Sequence, residues 1–272
     1  FSVIHTAHDF HLVCPNTGLL RYTKPAGFTA CTACLDTGDW SHVIRNNCDR
    51  RGRFYSYVRY LRHRASYDWL QVDRLFDCIL CPSKTLQDAI KRRFPDVETR
   101  LLRNPSFVSK KTTSVSTGPV SKDRTLAFFG RLQPEKGILQ YLGEGYDRTA
   151  YPRFLIYGDG EEKGNIAKMI GSMELQDHVQ LMGQIPLEEV ASAISKVDAV
   201  VVPSLCQENC PLVICDALKL DKQIVLMERD GGGELLDEIR RVGKGFLDPS
   251  NYLMSLMSVY SDVLDDAHPE IK

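Results

Sequence analysis

Two carboxylates in the second half of the chain stand where a ligand could use them. Glu208 and Asp216 are eight positions apart, on either side of Pro211, in the stretch VVPSLCQENCPLVICDALK (201–219). The apolar run before them predicts a buried strand, and Pro211 favours a helix start after the loop. Backbone amides at a helix start favour a phosphate, and the carboxylates could accept hydrogen bonds from sugar hydroxyls. The alternative is structural: Glu208 caps the helix and Asp216 pairs with Lys219.

Two cations lie in an earlier loop with a similar setting. Arg131 and Lys136 are five positions apart in the stretch GRLQPEKG (130–137), which follows an apolar run and contains a proline. Two fixed positive charges there could neutralise a diphosphate. Arginine and lysine in a surface loop are more commonly just solvated, so this pattern is weak evidence by itself.

The segments that carry these residues predict a parallel sheet. Short apolar runs separate helix-like segments, and they fall at 125–130, 153–158, 179–183, 198–204 and 223–227. Strands that are apolar throughout and alternate with amphipathic helices are typical of a doubly wound α/β domain, whose ligands bind beyond the carboxyl ends of the strands. Each predicted strand end is followed by a glycine or polar loop, so the residues named above are expected to share one edge of the sheet.

A change of charge and a linker composition divide the chain into two predicted domains. Residues 1–122 carry 19 Lys and Arg against 10 Asp and Glu, whereas residues 123–272 carry 15 against 25. Residues 109–123 are rich in Ser, Thr and Lys, which is typical of a linker. We therefore predict an N-terminal domain at 1–108 and a C-terminal domain at 124–272. The basic half could face an anionic partner, or the two halves could attract each other.

The set of motifs resembles the retaining glycosyltransferases of family 4. The similar segments are FFGRLQPEKG, LIYGDGEE, VQLMGQIPLEEV, VVVPSLCQENCPLVICDAL and ERDGGGELLDE, and the resemblance covers essentially all of residues 123–250. HTAHDFHLVCP and CPSKTLQDAIKRRF in the first half match more loosely. The resemblance implies the GT-B fold, with two Rossmann-like domains of which the C-terminal one binds the donor. Because the chain begins at Phe1 in a strand-like segment, we expect the N-terminal domain to be incomplete.

The resemblance also implies roles for individual residues. Arg131 and Lys136 would bind the donor diphosphate, and Glu208 would be the first acid of the family's pair, beside the transferred sugar. Asp216 stands where the family has a second glutamate that holds the ribose, and its side chain is one methylene shorter. His8 matches a catalytic histidine near the donor sugar, although a histidine hydrogen-bonded at a strand end would fit as well. The other residues expected to line the donor are Gly130, Gly158, Gly183, Gln184, Ile185, Pro211, Leu212, Gly232 and Gly233.

These roles imply a retaining, metal-independent transfer of a hexosyl unit from a nucleotide-diphosphate sugar to a hydroxyl of a glycan or lipid-linked acceptor. The two cations would take the place of a divalent metal, and the sequence has no Asp-x-Asp motif of the metal-dependent kind. Two other functions stay open: a non-catalytic module of this fold that binds a nucleotide sugar or a partner, and a nucleotide-sugar 2-epimerase. The sequence does not reveal the nucleotide base, the sugar or the acceptor.

Four cysteines in the first half match part of a zinc pattern. Cys14, Cys31, Cys34 and Cys48 lie within 35 residues, and Cys31-x-x-Cys34 falls in a loop-like stretch. One C-x-x-C pair with two flanking cysteines could close a tetrahedral structural zinc site, whereas a strong signal would have two such pairs. Reduced, partly buried thiols are the alternative. Since no secretory leader is apparent, nine cysteines predict a reducing, cytoplasmic compartment.

The other five cysteines are not expected to bind metal. Cys78 and Cys81 lie in one predicted strand and point to opposite faces. Cys206, Cys210 and Cys215 surround the acidic loop with no base nearby to activate a nucleophile, so we expect them to pack in the interior.

A basic amphipathic segment follows the cysteines. The stretch RRGRFYSYVRYLRHRASYDWL (50–70) places apolar residues on one helical stripe and arginines on the rest. The stripe comprises Phe54, Tyr57, Val58, Leu61, Ala65 and Trp69. Packing against a sheet is the favoured expectation, and contact with an anionic membrane surface, where lipid-linked acceptors would be met, is the alternative. No motif supports nucleic-acid binding, and no apolar run approaches the roughly 18 residues of a membrane span.

Overall fold

The chain divides into two compact units. The computed structural model describes residues 2–22, 27–108, 124–227, 236–237, 240–241, 244 and 247–267, with residues 264–267 described by their backbone alone. The first unit comprises residues 1–104 and 249–272, and the second comprises residues 105–248. Within the described ranges, no helix is both long enough and apolar enough to cross a membrane.

The first unit is built on a short parallel sheet. Its strands are β1 (Ile4–Thr6), β4 (Cys78–Cys81) and β5 (Glu98–Leu101), in the order β1-β4-β5, and β2 (Leu20–Tyr22) forms a separate antiparallel pair with β3 (Phe28–Ala30). The helices are α1 (Ala33–Thr37), α2 (His42–Arg45), α3 (Arg53–His63), α4 (Lys84–Arg93) and α9 (Pro249–Ala267). Alternate residues of β4 enter different cores, since Ile79 and Cys81 pack with Leu86 whereas Cys78 and Leu80 pack with Val259. The prediction that Cys78 and Cys81 point to opposite faces is thereby confirmed.

The second unit is a doubly wound parallel sheet. Its strands are β6 (Thr125–Phe129), β7 (Arg153–Tyr157), β8 (Val179–Gly183), β9 (Ala199–Val202) and β10 (Gln223–Leu226), in the order β10-β9-β6-β7-β8. The helices are α5 (Ile138–Gln140), α6 (Lys163–Ser172), α7 (Leu187–Ser195) and α8 (Leu212–Lys219). Leu126 and Phe128 belong to one core cluster and Ala127 to the other, so both faces of the sheet are covered. The predicted α/β fold with parallel sheets is confirmed.

The two units differ from the predicted domain boundaries at two places, and residues 105–108, predicted for the N-terminal domain, belong to the second unit. We expected residues 124–272 to form one domain, whereas α9 groups with the first unit. Val259 and Val263 of this helix pack on Cys78 and Leu80 of β4, and Asp262 accepts a hydrogen bond from Arg100 at 2.5 Å. The predicted linker at 109–123 lies outside the described residues.

The apolar stripe of α3 does not pack against a sheet, so the favoured expectation is wrong. Phe54 is 72% exposed and Trp69, beyond the helix end, is 66% exposed; Tyr57, Val58 and Leu61 are exposed as well. The helix instead buries the polar residues Ser56 and His63, with Arg59 half-buried on the same face. This face contacts neighbouring loops through specific hydrogen bonds, which periodicity alone does not reveal.

The hydrogen bonds of Arg59 and His63 explain why this face of α3 is the buried one. Arg59 donates to Asp49 Oδ2 and to the carbonyl oxygen of Pro15, at 2.5 and 2.9 Å. His63 Nε2 lies 2.7 Å from the carbonyl oxygen of His11. Because buried polar groups are stable only when they are hydrogen-bonded, this satisfied polar face can be the buried one.

Candidate active site

The predicted catalytic loops meet at the carboxyl edge of the second sheet. β6 lies between β9 and β7, and all three strands run parallel. The loops that follow these strands therefore leave the sheet side by side. They are residues 130–137 after β6, 158–162 after β7 and 203–211 after β9.

An ion pair joins the first and last of these loops. Lys136 Nζ donates to Glu208 Oε1 at 2.5 Å, and the hydroxyl of Ser204 donates to the same oxygen at 2.5 Å. The side chains of Lys136 and Glu208 are 22% and 15% exposed, and Ser204 is buried. The alternative in which Glu208 caps the helix is wrong, because α8 has no side-chain cap. No pattern in the sequence indicates Ser204 as a partner of this carboxylate.

Backbone contacts hold the same two loops close together. The amide of Leu205 donates to the carbonyl oxygen of Glu135 at 2.8 Å. Gly137 has a φ of +71°, and a Cβ atom there would lie 2.0 Å from the carbonyl oxygen of Pro203. Only glycine fits such an approach, so the position of Lys136 relative to Glu208 depends on Gly137.

Backbone hydrogen bonds at glycine residues join the ends of strands β6, β7 and β8. The amide of Gly158 donates to the carbonyl oxygen of Gly183 at 2.8 Å, and the amide of Gly130 donates to that of Tyr157 at 3.1 Å. Gly158 has a φ of +141°, and a Cβ atom on it would lie 1.8 Å from the carbonyl oxygen of Gly130. The three predicted glycines therefore form one contiguous backbone surface.

The loop after β8 and the first cation extend this edge. Gln184 is exposed and Ile185 half-buried, and both precede α7. Arg131 is exposed next to Gly130, and its guanidinium has no ion-pair partner among the described residues. An anionic ligand could therefore reach Arg131 without displacing a protein partner.

The same loop carries Glu135. One of its carboxylate oxygens, Oε2, is buried and has no hydrogen-bond partner in the described part of the chain.

α8 starts beside the acidic loop, as expected. Its first residue is Leu212, with Pro211 directly before it, and the amides of Ile214 and Cys215 donate to the carbonyl oxygen of Pro211. Leu212 is exposed, whereas Cys210 and Cys215 are buried and their sulfurs lie 3.6 Å apart. This burial agrees with the packing role expected for the two cysteines.

Asp216 lies within α8 and contacts a residue that the sequence did not suggest. Ser106 donates its hydroxyl hydrogen to Asp216 Oδ1 at 2.7 Å, and Lys219 Nζ donates to the carbonyl oxygen of Ser106 at 2.6 Å. Burial raises the pKa of Asp216 above its usual range, while the Ser106 hydrogen bond and the charge of Lys219 oppose the shift. Ser106 thus bridges the carboxylate and the lysine, which the structural alternative had paired directly.

Three further residues were predicted for the site, namely His8, Gly232 and Gly233. His8 belongs to the first unit, where it is exposed just beyond the carboxyl end of β1. Its neighbour Asp9 accepts hydrogen bonds from the backbone and ring nitrogens of His11, at 2.7 and 2.8 Å. Gly232 and Gly233 lie outside the described residues.

The four cysteines of the predicted zinc site line one small cavity of the first unit. Cys14, Cys31, Cys34 and Cys48 all border it, and none of them forms a disulfide. Burial, followed by the neighbouring cysteines, raises the pKa of Cys34 and of Cys48 to about 12. As the thiols are placed, no group of three or more His, Cys, Asp or Glu side chains in the described part of the chain is arranged to hold a metal ion.

Comparisons with known proteins point to one family. The family model "Glycosyl transferases group 1" matches residues 123–265, just over half of the 272-residue chain. An alpha-D-kanosaminyltransferase of Streptomyces kanamyceticus is 30% identical over 120 residues, which are 43% of this chain and 31% of that protein. A 2-deoxystreptamine glucosyltransferase of the same organism is 25% identical over 155 residues, which are 56% of this chain and 38% of that protein.

A solved structure agrees in fold. Anabaena HepE in complex with UDP superposes with a TM-score of 0.54 at 15% identity, over 86% of this chain and 55% of that chain. At this identity the likeness concerns the fold alone, which is of the GT-B type. The chain spans only 31% to 55% of the length of these three proteins.

Proposed function

The chain belongs to the Glycosyl transferases group 1 family, and on that premise we propose that it transfers a sugar from a nucleotide-diphosphate donor to a hydroxyl acceptor. The observation that carries the proposal is the Lys136–Glu208 pair at the carboxyl edge of the second sheet. A cation for the diphosphate and a carboxylate for the sugar are adjacent there. Ligands of parallel α/β sheets bind at this edge.

The donor would be held by the groups that surround this pair. Arg131 and Lys136 bind the diphosphate, and the amides at the start of α8 add hydrogen bonds to its oxygens. Glu208 accepts hydrogen bonds from the transferred sugar, and the partly buried Asp216 accepts one from the ribose. The backbone of 183–185 contacts the nucleobase. Gly232 and Gly233 keep the role implied by the family resemblance, along the phosphates and sugar.

The proposed reaction exchanges one bond at the anomeric carbon for another. The bond from that carbon to the phosphate oxygen breaks, and the nucleoside diphosphate leaves with the electron pair. The acceptor oxygen bonds to the same face of the carbon, which retains its configuration, and its proton passes to the departing phosphate. Arg131 and Lys136 stabilise the charge that develops on the leaving group, so that no divalent metal is required. For His8 we keep the catalytic role that the resemblance implies.

A UDP-hexose is the donor we propose. HepE was solved in complex with UDP, and the names of the two Streptomyces relatives describe transfer of kanosamine and of glucose. These proteins support the donor class, and the acceptor is proposed only as a hydroxyl of a glycan or a lipid-linked sugar.

Thermal shift of the full chain with UDP, GDP and ADP tests the donor site. We expect one nucleotide, UDP, to raise the melting temperature, because a ligand that binds only the folded state stabilises it. Lys136→Ala should abolish the shift. Lys244→Ala is the matched control, since Lys244 pairs with Asp221 at 2.6 Å and donates to the carbonyl oxygen of Leu218 near the far end of α8. No shift with any of the three nucleotides would contradict the proposal.

The exposed stripe of α3 supports contact with an anionic lipid surface. Between Asp49 and Asp68 the chain has six arginines and no Asp or Glu, although Arg51 and Arg59 pair with Asp49 and Arg64 pairs with Asp68. Arg53 and Arg62 are exposed next to Phe54 and Leu61. Apolar side chains that enter the headgroup region and arginines that face anionic lipid are the two components of interfacial helices. We propose that this surface brings the protein to a membrane that carries a lipid-linked acceptor.

A further inference from the structure

Four cysteines from four separate segments border the same cavity of the first unit. Cys14 follows a 3-10 turn at Phe10–Leu12, Cys31 follows β3, Cys34 lies in α1, and Cys48 follows α2. All four border a single cavity of about 10 Å³. Convergence of this kind is not expected of thiols that act only as scattered packing residues.

The rest of the cavity wall offers little polar competition. Its other lining residues are Pro15, Asn16, Leu19, Leu20, Leu35, His42 and Val43. The amide of Asn16 is already used, since it donates to the carbonyl oxygens of Leu20 and Cys48 at 2.8 Å each. Cys14, Cys34 and Cys48 are each less than 10% exposed. The four thiols and the half-buried His42 are therefore the groups of this wall that could bind a metal ion.

We propose that Cys14, Cys31, Cys34 and Cys48 bind one Zn²⁺ as a tetrathiolate site that stabilises the segment 14–48. Four cysteine sulfurs are a closed tetrahedral ligand set for structural zinc. Neighbouring thiolates in a buried space repel one another, and a divalent cation at their centre removes that repulsion. This inference does not depend on the proposed glycosyl transfer.

Zinc binding requires a small rearrangement and the loss of four protons. In the thiol form the sulfurs are not arranged around a metal position. Each thiol must come within bonding distance of the metal and release its proton to solvent, while four Zn–S bonds form. Ligands in a tetrathiolate site lie about 2.3 Å from the metal. Bringing the sulfurs together around the metal fills the cavity that the four residues already share.

The local structure of segment 14–48 explains why a metal would matter there. Strands β2 and β3 have three residues each, and α1 and α2 have five and four. Elements this short supply few backbone hydrogen bonds of their own. A metal that joins four points of the segment stabilises it by its binding free energy, since the unfolded chain holds no preformed site.

Metal analysis of the full chain, purified without chelator, tests the proposal. We expect about one equivalent of zinc. Reconstitution with Co²⁺ should give the visible absorption of tetrahedral cobalt with thiolate ligands, and a zinc chelator should lower the melting temperature. Zinc below about a tenth of an equivalent after reconstitution with excess Zn²⁺, or iron in its place, would overturn the proposal.

Single substitutions separate this site from adventitious binding. Cys34→Ser and Cys48→Ser should each weaken zinc binding by more than about tenfold, since even outer-shell partners of zinc ligands are worth that much. Cys78→Ala is the control, because Cys78 is a buried cysteine of the same unit that packs in a different core. If a serine variant fails to fold, the cobalt spectrum of the wild-type chain still decides the question. Equal zinc affinity in the cysteine variants and the control would contradict the proposed ligands.

Discussion

Lys136 and Glu208 are 72 residues apart in the chain, yet the ammonium group of one donates to the carboxylate of the other at 2.5 Å. The pair is mostly shielded from water, and Ser204 holds the same carboxylate oxygen from the buried side. Glu208 therefore pairs with the cation that we assign to the donor diphosphate. Phosphate oxygens of a bound donor would compete with this carboxylate for the ammonium group.

This competition predicts opposite effects of the two substitutions on binding of free UDP. Lys136→Met removes a hydrogen bond to a charged group, and we expect it to weaken UDP by roughly 1.5–3 kcal/mol. Glu208→Gln removes the competing negative charge, and it should tighten UDP about threefold, in keeping with the modest strength of partly exposed ion pairs. Titration calorimetry measures both.

Sugar transfer should respond differently from nucleotide binding. Because Glu208 is assigned to the transferred sugar, Glu208→Gln should lower the transfer rate by about 100-fold, even though free UDP binds better. Loss of UDP affinity in Glu208→Gln would contradict the proposed competition for Lys136, and an unchanged transfer rate would remove Glu208 from the site. Lys244→Ala should leave both quantities at the wild-type level.

The ends of β6 and β7 lie too close together for a side chain at Gly158. Gly158→Ala would place a Cβ atom 1.8 Å from the carbonyl oxygen of Gly130, at a φ of +141°. Since that contact is with backbone, the strand ends must move apart, and we expect the second unit to lose more than about 2 kcal/mol of unfolding free energy. Urea denaturation followed by circular dichroism measures it.

Gly164→Ala is the matched control for this substitution. Gly164 lies in α6, and a Cβ atom added there would meet no atom within 4 Å outside the helix's own backbone. Alanine in a helix restricts the unfolded chain and lacks the backbone cost of glycine, so we expect a gain of about 0.5–1 kcal/mol. Similar unfolding midpoints for the two variants would show that the strand ends tolerate a side chain.

Much of the second unit could be predicted because its signals are local. Apolar runs marked β6 to β10, and residues placed directly after such strands had to lie on one edge, which brings Lys136 near Glu208. Contacts between distant segments could not be predicted in this way. Ser106 bonds Asp216 across 110 positions, and no spacing rule links them.

The first unit shows where periodicity stops being informative. The pattern of 50–70 correctly predicted an apolar stripe on a helix. Periodicity alone does not show whether that stripe or the opposite face of the helix is buried. The buried face is determined by the hydrogen bonds of Ser56, Arg59 and His63, whose partners lie on other loops. The grouping of α9 with this unit likewise depends on contacts of Val259 and Val263 with a strand almost 180 residues earlier.

Burial of His63 predicts a pH-dependent stability. Burial, together with the charges of Arg62 and His11, lowers the pKa of His63 from 6.5 to about 4, against smaller opposing effects of its backbone hydrogen bonds. Between those pH values the unfolded chain binds more protons than the folded one, so stability falls as the pH drops from 6.5 toward 4. The expected loss is about 3 kcal/mol. Urea unfolding across this pH range measures it.

His63→Gln should remove most of this slope, because glutamine does not titrate. Tyr67→Phe is the control, since the Tyr67 ring packs at 5.4 Å from that of His63 and its pKa, raised to about 12 by burial, lies far above the range tested. An equally steep profile in His63→Gln would assign the pH dependence to other groups.

The exposed stripe of α3 predicts binding to anionic vesicles. Sedimentation with vesicles of phosphatidylglycerol and phosphatidylcholine should pull down the full chain, and vesicles of phosphatidylcholine alone should bind it less. Added salt should weaken the binding, since exposed charges are screened beyond about 8–10 Å at moderate ionic strength.

Phe54→Ala with Leu61→Ala should lower the partition coefficient by more than about tenfold, since each buried side chain contributes roughly 1.5–3 kcal/mol. Leu187→Ala, at an 84% exposed position on α7, should change nothing. Binding that ignores lipid charge, or that survives the double substitution, would show that this surface does not contact the membrane.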